Sequence, residues 1–467
     1  MRASMLGSFR DPSGFVFRDD QGDLYRQVNR VYEADYRCLY ESGLYEDLVS
    51  DGLLVRHEET GLDKKRTDEA FAVIRPEPIP FVSYPYEWCF SQLKDAALLT
   101  LEIQSRALDR GMSLKDASVY NVMFRGTQPI FIDTLSFESY REGKPWVAYR
   151  QFCRHFLAPL SLMALVDLRL GSLLREHLDG IPLDLASRML PRRSWLRPGI
   201  ALHLHMHAKA ESRRAAKGRN HRSGMDASRT ETKEATVSAA GLRGILDSLR
   251  SAIRKLSIAP KRTEWSEYYR DNTYSEAAST HKAETVRRYL DRVRPATVWD
   301  LGANTGRYSE IALEHAGCVV AMEQDPWCVE AACRKWKDEG RAILPMRIDL
   351  ANPSPALGWA HGERQSLVER GPADAVLALA LIHHLCISNN VPLSDAAAFF
   401  ASISRHLVIE FVPKEDDMVQ FLLQSREDIF ANYTKEGFES AFTQHFEILD
   451  RAPAPDSKRA LYLMKAK

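Results

Sequence analysis

The chain of 467 residues lacks the usual marks of a secreted, membrane-spanning or strongly charged protein. Its seven cysteines are scattered and contain no Cys-x-x-Cys pair, which favours reduced thiols. The longest apolar run, Phe156 to Val166, is too short to span a bilayer. The 63 basic and 63 acidic residues balance, so no global field points to nucleic acid or a membrane. The N-terminal residues lack the apolar core of a signal peptide, and we expect a cytoplasmic location.

The length predicts two or three domains, and the composition changes along the chain. Residues 1–207 mix strand-like and helical patterns. Residues 208–235 have almost no large apolar side chains, and eight Lys/Arg against four Asp/Glu give them a charge of +4. We therefore predict a flexible basic linker over 208–240; a nucleic-acid-binding arm is the alternative, although acidic residues interrupt the run. A helical lead-in or lid would follow over 241–282, and a separate domain over 283–467.

Helical and strand patterns alternate in the last 185 residues. We predict helices over 285–293, 307–316, 327–337 and 394–405, and strands over 296–300, 318–323, 343–348, 374–380 and 406–412. Such alternation with apolar strands predicts a parallel sheet buried on both faces, which is a doubly wound Rossmann-like α/β fold. In this fold, ligands bind beyond the carboxyl ends of the strands.

A glycine-containing turn leads from the first of these strands into a helix. Residues 298–310 read Val-Trp-Asp-Leu-Gly-Ala-Asn-Thr-Gly-Arg-Tyr-Ser-Glu. Gly302 and Gly306 can adopt positive φ and let a ligand approach the main chain, and Asn304 between them also tolerates a left-handed backbone. The stretch does not follow the dinucleotide fingerprint Gly-x-Gly-x-x-Gly. Taken alone, it is equally compatible with a structural turn in another α/β domain.

Carboxylates stand at the ends of three successive predicted strands. Asp300 ends the first strand, Glu323 the second and Asp349 the third. The spacing of Glu323 from the turn fits an acid that accepts hydrogen bonds from ribose hydroxyls. Asp349 is placed to accept a hydrogen bond from an adenine amino group. Each acid alone could belong to a solvated loop, but the three together predict one functional site.

With these residues, 283–467 resembles a class I S-adenosylmethionine (SAM)-dependent methyltransferase, whose first motif is acidic-x-Gly-x-Gly-x-Gly. The resemblance implies that the turn lines the methionine part of SAM, Glu323 the ribose and Asp349 the adenine. The turn residues concerned are Asp300, Gly302, Asn304, which replaces the middle glycine, and Gly306.

Other tracts are similar to a bacterial nodulation-protein-like methyltransferase family. They include Asn352-Pro-Ser-Pro-Ala-Leu-Gly-Trp, Ala378-Leu-Ala-Leu-Ile-His-His-Leu and Ile409-Glu-Phe-Val-Pro-Lys. This resemblance extends over the whole chain and implies no particular substrate. It also places aromatic residues of 265–269 and 272–275 just before the core, either as a lid over the cofactor or packed against the sheet.

Candidate bases follow the fourth and fifth strands. His383 and His384 come after the fourth strand, and a neutral imidazole there could take a proton from an oxygen or nitrogen nucleophile. If the strand continues, only one of them faces the pocket, and we favour His384; a structural role for both is the alternative. Glu410, at the end of the fifth strand, is a second candidate base or substrate anchor.

A second pattern lies in the N-terminal part. Asp116 and Asn121 are followed by an apolar strand that ends in Asp133, a spacing that resembles the catalytic and metal-binding loops of protein-kinase-like phosphotransferases. Ser-Leu-Lys precedes Asp116 where His-Arg is typical, Thr134 follows Asp133 where Phe-Gly is typical, and no glycine-rich phosphate loop precedes them. We therefore predict a mixed α+β kinase-like domain without phosphotransfer activity. A helix–loop–strand whose acids cap turns is the alternative.

His203, His205 and His207 alternate and could hold zinc, but no Cys or acidic cluster completes the set, so we favour surface or hydrogen-bonded histidines and predict no metal. The sequence thus predicts a cytoplasmic SAM-dependent methyltransferase acting on an oxygen or nitrogen nucleophile of a glycan or small metabolite. It shows no strong nucleic-acid signal and no transmembrane segment, and it predicts no oligomeric state. The alternatives are a bifunctional kinase–methyltransferase acting on a glycan or lipid-linked acceptor, and a non-catalytic SAM-binding scaffold.

Overall fold

The computed structural model describes residues 8, 10–213, 236–259, 261, 276–424, 427–455 and 457–467. Most of the predicted linker and the aromatic segments 265–269 and 272–275 lie outside these residues. The chain divides into two compact units. The first comprises Met1–Ile79, Ser83–Phe124 and Pro129–Ala259, and the second Pro80–Val82, Arg125–Gln128 and Pro260–Lys467.

The first unit is a mixed α+β structure. Its strands are β1 (Gly14–Arg18), β2 (Leu24–Asn29), β3 (His57–Thr60), β4 (Ala70–Pro76), β5 (Met112–Leu114), β6 (Val122–Arg125), β7 (Gln128–Phe131) and β8 (Phe137–Ser139). Its helices are α1 (Glu33–Glu41), α2 (Leu44–Ser50), α3 (Phe90–Asp109), α4 (Tyr149–Phe152), α5 (Ala158–Leu165), α6 (Leu173–Glu176), α7 (Leu183–Met189), α8 (Pro198–Ile200) and α9 (Ala239–Arg254). The first four strands form an antiparallel sheet in the order β1-β2-β4-β3. Strand β5 pairs with β8, and β6 pairs with β7, in two small two-stranded sheets.

Residues 149–176 are largely helical but do not form one helix. Pro159 has no N–H to donate, and the chain widens into a π turn over Cys153–Leu157 just before it. After α5, the side chain of Asp167 accepts a hydrogen bond from the Arg169 N–H and starts a new 3-10 turn. The apolar pattern therefore identifies the buried faces but not the breaks.

The second unit is built on one seven-stranded sheet. Its strands are β9 (Thr297–Leu301), β10 (Cys318–Glu323), β11 (Ile343–Arg347), β12 (Ala373–Ala378), β13 (Ser404–Phe411), β14 (Phe446–Pro453) and β15 (Ala460–Ala466). Its helices are α10 (Glu276–Val293), α11 (Arg307–Leu313), α12 (Pro326–Asp338), α13 (Leu393–Ile403), α14 (Asp417–Leu423) and α15 (Lys435–Phe442).

The strand order is β11-β10-β9-β12-β13-β15-β14, with β9–β13 parallel and β15 antiparallel to both of its neighbours. The chain runs outward from β9 to β11 and then returns to β12 on the other side of β9. Because crossovers of this kind are right-handed, the two runs place their helices on opposite faces. The doubly wound α/β fold predicted for this part of the chain is confirmed, and its switch point lies between β9 and β12.

The register brings the carboxyl ends of the parallel strands to one edge. Leu301 at the end of β9 pairs with Met322 of β10 and Ala378 of β12, and Ala378 pairs with Ile409 of β13. The predicted strand positions agree with these elements to within about two residues. Side chains that follow these strands are therefore close neighbours in space.

Candidate functional site

The turn after β9 has the left-handed backbone that its composition indicates. Gly302, Asn304 and Gly306 all have positive φ, at 70°, 52° and 87°. The N–H groups of Gly302 and Ala303 donate to the carbonyl of Met322 on β10, at 2.8 and 3.0 Å. The backbone therefore bends sharply while it remains attached to the neighbouring strand.

Gly306 has a packing role in addition to its φ. A Cβ at this position would lie 2.0 Å from Cζ2 of Trp336, whose indole is fully buried on α12. The indole Nε1 donates to Glu310 of α11 at 2.9 Å, which ties the two helices together. Gly306 does not line the cavity described below, so the structure places it behind the site.

Three carboxylates of the predicted site meet at one edge of the sheet. Asp300 is buried, and its Oδ2 accepts a hydrogen bond from Ser309 Oγ at 2.6 Å. Glu323 accepts from the N–H of Asn304 at 2.9 Å and from that of Asp325 at 2.9 Å, so its carboxylate is fixed against the turn. Asp349 Oδ1 accepts from the N–H of Ala351 at 2.9 Å.

Burial dominates the electrostatics of Asp300 and Glu323. It raises the pKa of Asp300 to about 6, against the opposing effects of the Ser309 hydrogen bond and of Lys282. Burial likewise raises the pKa of Glu323, although three backbone N–H groups partly stabilise its charge. Two desolvated acids side by side favour a ligand that donates hydrogen bonds or carries positive charge.

A cavity of about 370 Å³ connects these groups. Asp300, Gly302, Asn304, Glu323 and Asp349 all line it. The rest of the wall comes mainly from α10, the start of α11, and the segments after β11 and β12: Ser279, Lys282, Ala303, Arg307, Tyr308, Gln324, Ile348, Leu350, Ala351, Leu379, Ala380, Leu381, His384, Leu385, Ser388, Asn389 and Leu422. The volume is typical of a site for a small molecule or cofactor, and the wall combines the three acids with basic, neutral polar and apolar side chains.

The two histidines have different environments. The chain does not continue as a strand after β12; it forms a helical turn that includes His384–Ser388. His384 lines the cavity, whereas His383 is buried outside it, and the two rings lie 4.1 Å apart. Burial lowers the pKa of His384 to about 4 and lowers that of His383 well below its ordinary value, so both imidazoles are neutral at pH 7.

Glu410 does not line the cavity but touches a residue that does. Its Oε2 lies 2.6 Å from Nζ of Lys282 on α10 and accepts the N–H of Ala380 at 2.8 Å. Arg459, buried as an ion pair with Asp416, lies 3.9 Å from the other oxygen of Glu410. Burial raises the pKa of Glu410 to about 7, and burial together with Arg459 lowers the pKa of Lys282 well below its ordinary value.

Lys282 is the main site residue that the sequence pattern does not reveal. It sits in a polar stretch of α10 and resembles a solvated helix lysine, yet its side chain is 6% exposed. Its Nζ lies 5.0 Å from the centre of the Tyr308 ring. Only the tertiary fold shows that Lys282 of α10 contacts Glu410 at the end of β13, beside the chain that leaves β12.

The acids of the kinase-like pattern bind protein groups in the first unit. Asp133 forms an ion pair with Arg26 of β2 and accepts from Ser136 Oγ at 2.5 Å, and the amide of Asn121 donates to the same hydroxyl at 3.0 Å. Asp116 accepts from Gln151 at 2.7 Å. Burial and the charge of Asp133 raise the pKa of Asp116. Burial also acts to raise the pKa of Asp133, but Arg26 and the hydrogen bonds from Ser136 and the Leu135 N–H together outweigh it and lower that pKa. The kinase-like fold stays a prediction.

The three alternating histidines are held by protein groups. His203 lies 2.8 Å from both Tyr149 Oη and Ser248 Oγ, and His205 lies 2.7 and 2.8 Å from the hydroxyls of Ser187 and Ser194. Within the described ranges, no group of three or more His, Cys, Asp or Glu side chains could hold a metal ion. The zinc alternative therefore has no support from the described structure.

Comparison with known proteins identifies the family. The chain is 36% identical to nodulation protein NoeA of Rhizobium meliloti (strain 1021) over 462 residues, which cover 98% of this chain and 95% of that protein. The chain belongs to the NoeA family. No family model matches the chain.

Two of the solved structures with some likeness are methyltransferases. N-methyltransferase NodS from Bradyrhizobium japonicum WM9 is 12% identical, with a TM-score of 0.31 over 41% of this chain and 98% of NodS. Magnesium protoporphyrin IX methyltransferase from Synechocystis PCC 6803, with bound SAH, is 17% identical, with a TM-score of 0.32 over 44% of this chain and 92% of that one. Likenesses at this level add nothing to the strand order and site geometry above.

Proposed function

We propose that this NoeA-family protein is a SAM-dependent methyltransferase whose cofactor binds in the cavity of the second unit. The observation that carries the proposal is the convergence of Asp300, Glu323 and Asp349 on one cavity at the switch point of a doubly wound sheet. The acids match the donors of such a cofactor: Glu323 would accept from ribose hydroxyls, and Asp349 from the adenine amino group. Asp300 would face the cationic methionine end.

The same cavity offers a counterpart for the carboxylate of the cofactor. Arg307, the first residue of α11, donates to Ser279 Oγ of α10 at 2.7 Å, and both residues line the cavity. We infer that this pair binds the methionine carboxylate. Bound SAM supplies a methyl group that its sulfonium already makes electrophilic, so the task left to the protein is to position the acceptor and exclude water.

The acceptor would enter beside the helical turn after β12. Leu381, His384 and Leu385 line the cavity there, with Leu422 of α14. Because the pKa of His384 is about 4, its neutral ring can accept a hydrogen bond from a hydroxyl or amine but is a weak base at pH 7. We propose that His384 orients the nucleophile. Glu410, with a pKa of about 7, would act on the site only through Lys282.

Methyl transfer is tested by incubating the purified protein with SAM and fractionated small molecules and glycans from cells that lack it. We expect a SAM-dependent product one CH₂ unit heavier in one fraction, together with equimolar SAH, and neither with Asp300→Ala. Glu447→Ala, an exposed acid on β14, is the control and should react normally. Bound SAM without product in any fraction would favour the scaffold alternative, and absence of SAM binding would refute the proposal.

A further inference from the structure

The first unit exposes a group of large apolar side chains after α7. Trp195 is 41% exposed, Leu196 84%, Leu202 49% and Met206 55%. The first two belong to a 3-10 turn (Arg192–Leu196), and the others to the helical segment 201–213. Leu202 and Met206 are four residues apart and share one helix face. We call these four side chains, with the basic residues described below, the Trp195 surface.

Packing beneath this surface fixes its shape. The Trp195 ring stacks on His205 at 4.4 Å and 8°, so the turn lies against the helix. Ser194 is fully buried and lies 2.8 Å from His205 Nε2, while its hydroxyl donates to the Pro191 carbonyl at 2.7 Å. Gly199 packs on Ala252 of α9 so closely that a Cβ would lie 2.5 Å away. The exposed side chains therefore project from a rigid support.

Basic side chains stand in the same turn and helical segment as the apolar ones. Arg192, Arg193 and Arg197 are exposed, and none of the three forms a salt bridge with a described residue. Nζ of Lys209 lies 4.4 Å from the centre of the Trp195 ring. The one acid of 192–213, Glu211, is already engaged with Arg150 and His207. The surface thus combines exposed apolar side chains with positive charge.

We propose that the Trp195 surface binds the surface of an anionic phospholipid bilayer. Trp and Leu side chains prefer the boundary between head groups and acyl chains, and arginine binds phosphate with paired hydrogen bonds. Within the described part of the chain, no helix has the length and apolar character to cross a bilayer, so the contact would be peripheral. This inference does not depend on the methyltransferase assignment.

Charge and apolar character together favour this partner over three others. Residues 214–235, which follow the surface, contain six basic and three acidic residues, so they would repel rather than cover it. A second copy would also bring positive charge against positive charge. Nucleic acid would satisfy the arginines, but it offers no apolar layer for Leu196, Leu202 and Met206.

The proposal is tested by co-sedimentation of the full chain with vesicles of phosphatidylcholine alone and of phosphatidylcholine with phosphatidylglycerol. We expect binding to the second kind only, weakened about tenfold or more by Leu196→Ser and about fivefold by Arg197→Glu. Leu62→Ser and Arg30→Glu are matched controls on exposed residues elsewhere in this unit and should bind normally. Circular dichroism should show unchanged folding in all four variants.

Three results would overturn the proposal. One is absence of binding to anionic vesicles. Another is binding that Leu196→Ser and Arg197→Glu weaken no more than their controls do. The third is tighter binding to duplex DNA than to vesicles, with the same sensitivity to Arg197→Glu, which would assign the surface to nucleic acid.

Discussion

The buried pair of Lys282 and Glu410 should dominate the stability of the second unit around the site. Their side chains are 6% and 1% exposed, and Nζ and Oε2 lie 2.6 Å apart. Removal of one partner of such a pair leaves a buried charge uncompensated, which costs about 3–5 kcal/mol. We therefore expect Lys282→Met to lower the free energy of unfolding by about 3–5 kcal/mol at pH 8.

The loss of unfolding free energy caused by Lys282→Met should be larger at high pH than at low pH. In the wild-type protein, burial raises the pKa of Glu410 from 4.5 to about 7, and loss of the lysine would raise it further. At pH values between the pKa of Glu410 in the unfolded state and its pKa in the folded state, the folded protein holds a proton on Glu410 that the unfolded protein has lost. The free energy of unfolding should therefore fall by about 1.4 kcal/mol per pH unit as the pH rises through this window, which ends at about pH 7 in the wild type and extends to higher pH in the variant. The cost should be smaller at pH 5.5 than at pH 8.

Urea unfolding followed by tryptophan fluorescence at both pH values provides the measurement. Arg287→Met is the control, because Arg287 lies on the same helix and its ion pair with Glu314 is exposed. It should cost less than about 1 kcal/mol at either pH. If Lys282→Met costs no more than Arg287→Met at pH 8, or costs the same at both pH values, the buried ion pair does not stabilise the protein as its geometry indicates.

Three further predictions concern the turn and the histidines. Gly306→Ala should destabilise the protein by about 2–5 kcal/mol in thermal unfolding, because it combines positive φ with a Cβ 2.0 Å from an indole; Gly340→Ala, with φ of 65° and open space, should cost only about 1–2 kcal/mol. SAM affinity should rise between pH 5 and 7.5 as Asp300, with its pKa of about 6, ionises, and a pH-independent affinity would contradict its assigned role. His384→Ala should lower kcat by about ten- to a hundredfold without changing Tm, whereas His383→Ala should lower Tm; the reverse pattern would exchange their roles.

Local signals were sufficient to predict the parallel strands and the acids at their ends. The positions of Asp300, Glu323 and Asp349 follow from apolar strands of known length, because parallel strands bring their carboxyl ends to one edge. The left-handed turn follows from its Gly and Asn residues. These features depend on a few neighbouring residues, and the structure has them where the pattern places them.

Features set by distant contacts were not predictable in the same way. Lys282 is buried where Glu410, 128 residues later, accepts a hydrogen bond from its Nζ, and no pattern within α10 indicates this. The histidines follow a helical turn rather than a strand, because the chain leaves the sheet after Ala378. Gly306 looks like a ligand contact in the motif but faces Trp336 from the next helix. Each of these three features depends on contacts that exist only in the folded second unit.

Calorimetric titration of SAM into the protein at pH 7.5 is the sharpest test of whether the cofactor binds in the cavity of the second unit. The cavity geometry predicts one site per chain, weakened about tenfold or more by Glu323→Gln, because an amide in this position leaves ribose hydroxyls and backbone N–H groups short of acceptors. Glu447→Gln, on an exposed face of β14, should bind as the wild type does. Absence of heat attributable to SAM binding, or equal affinity of the Glu323→Gln variant, would contradict the account.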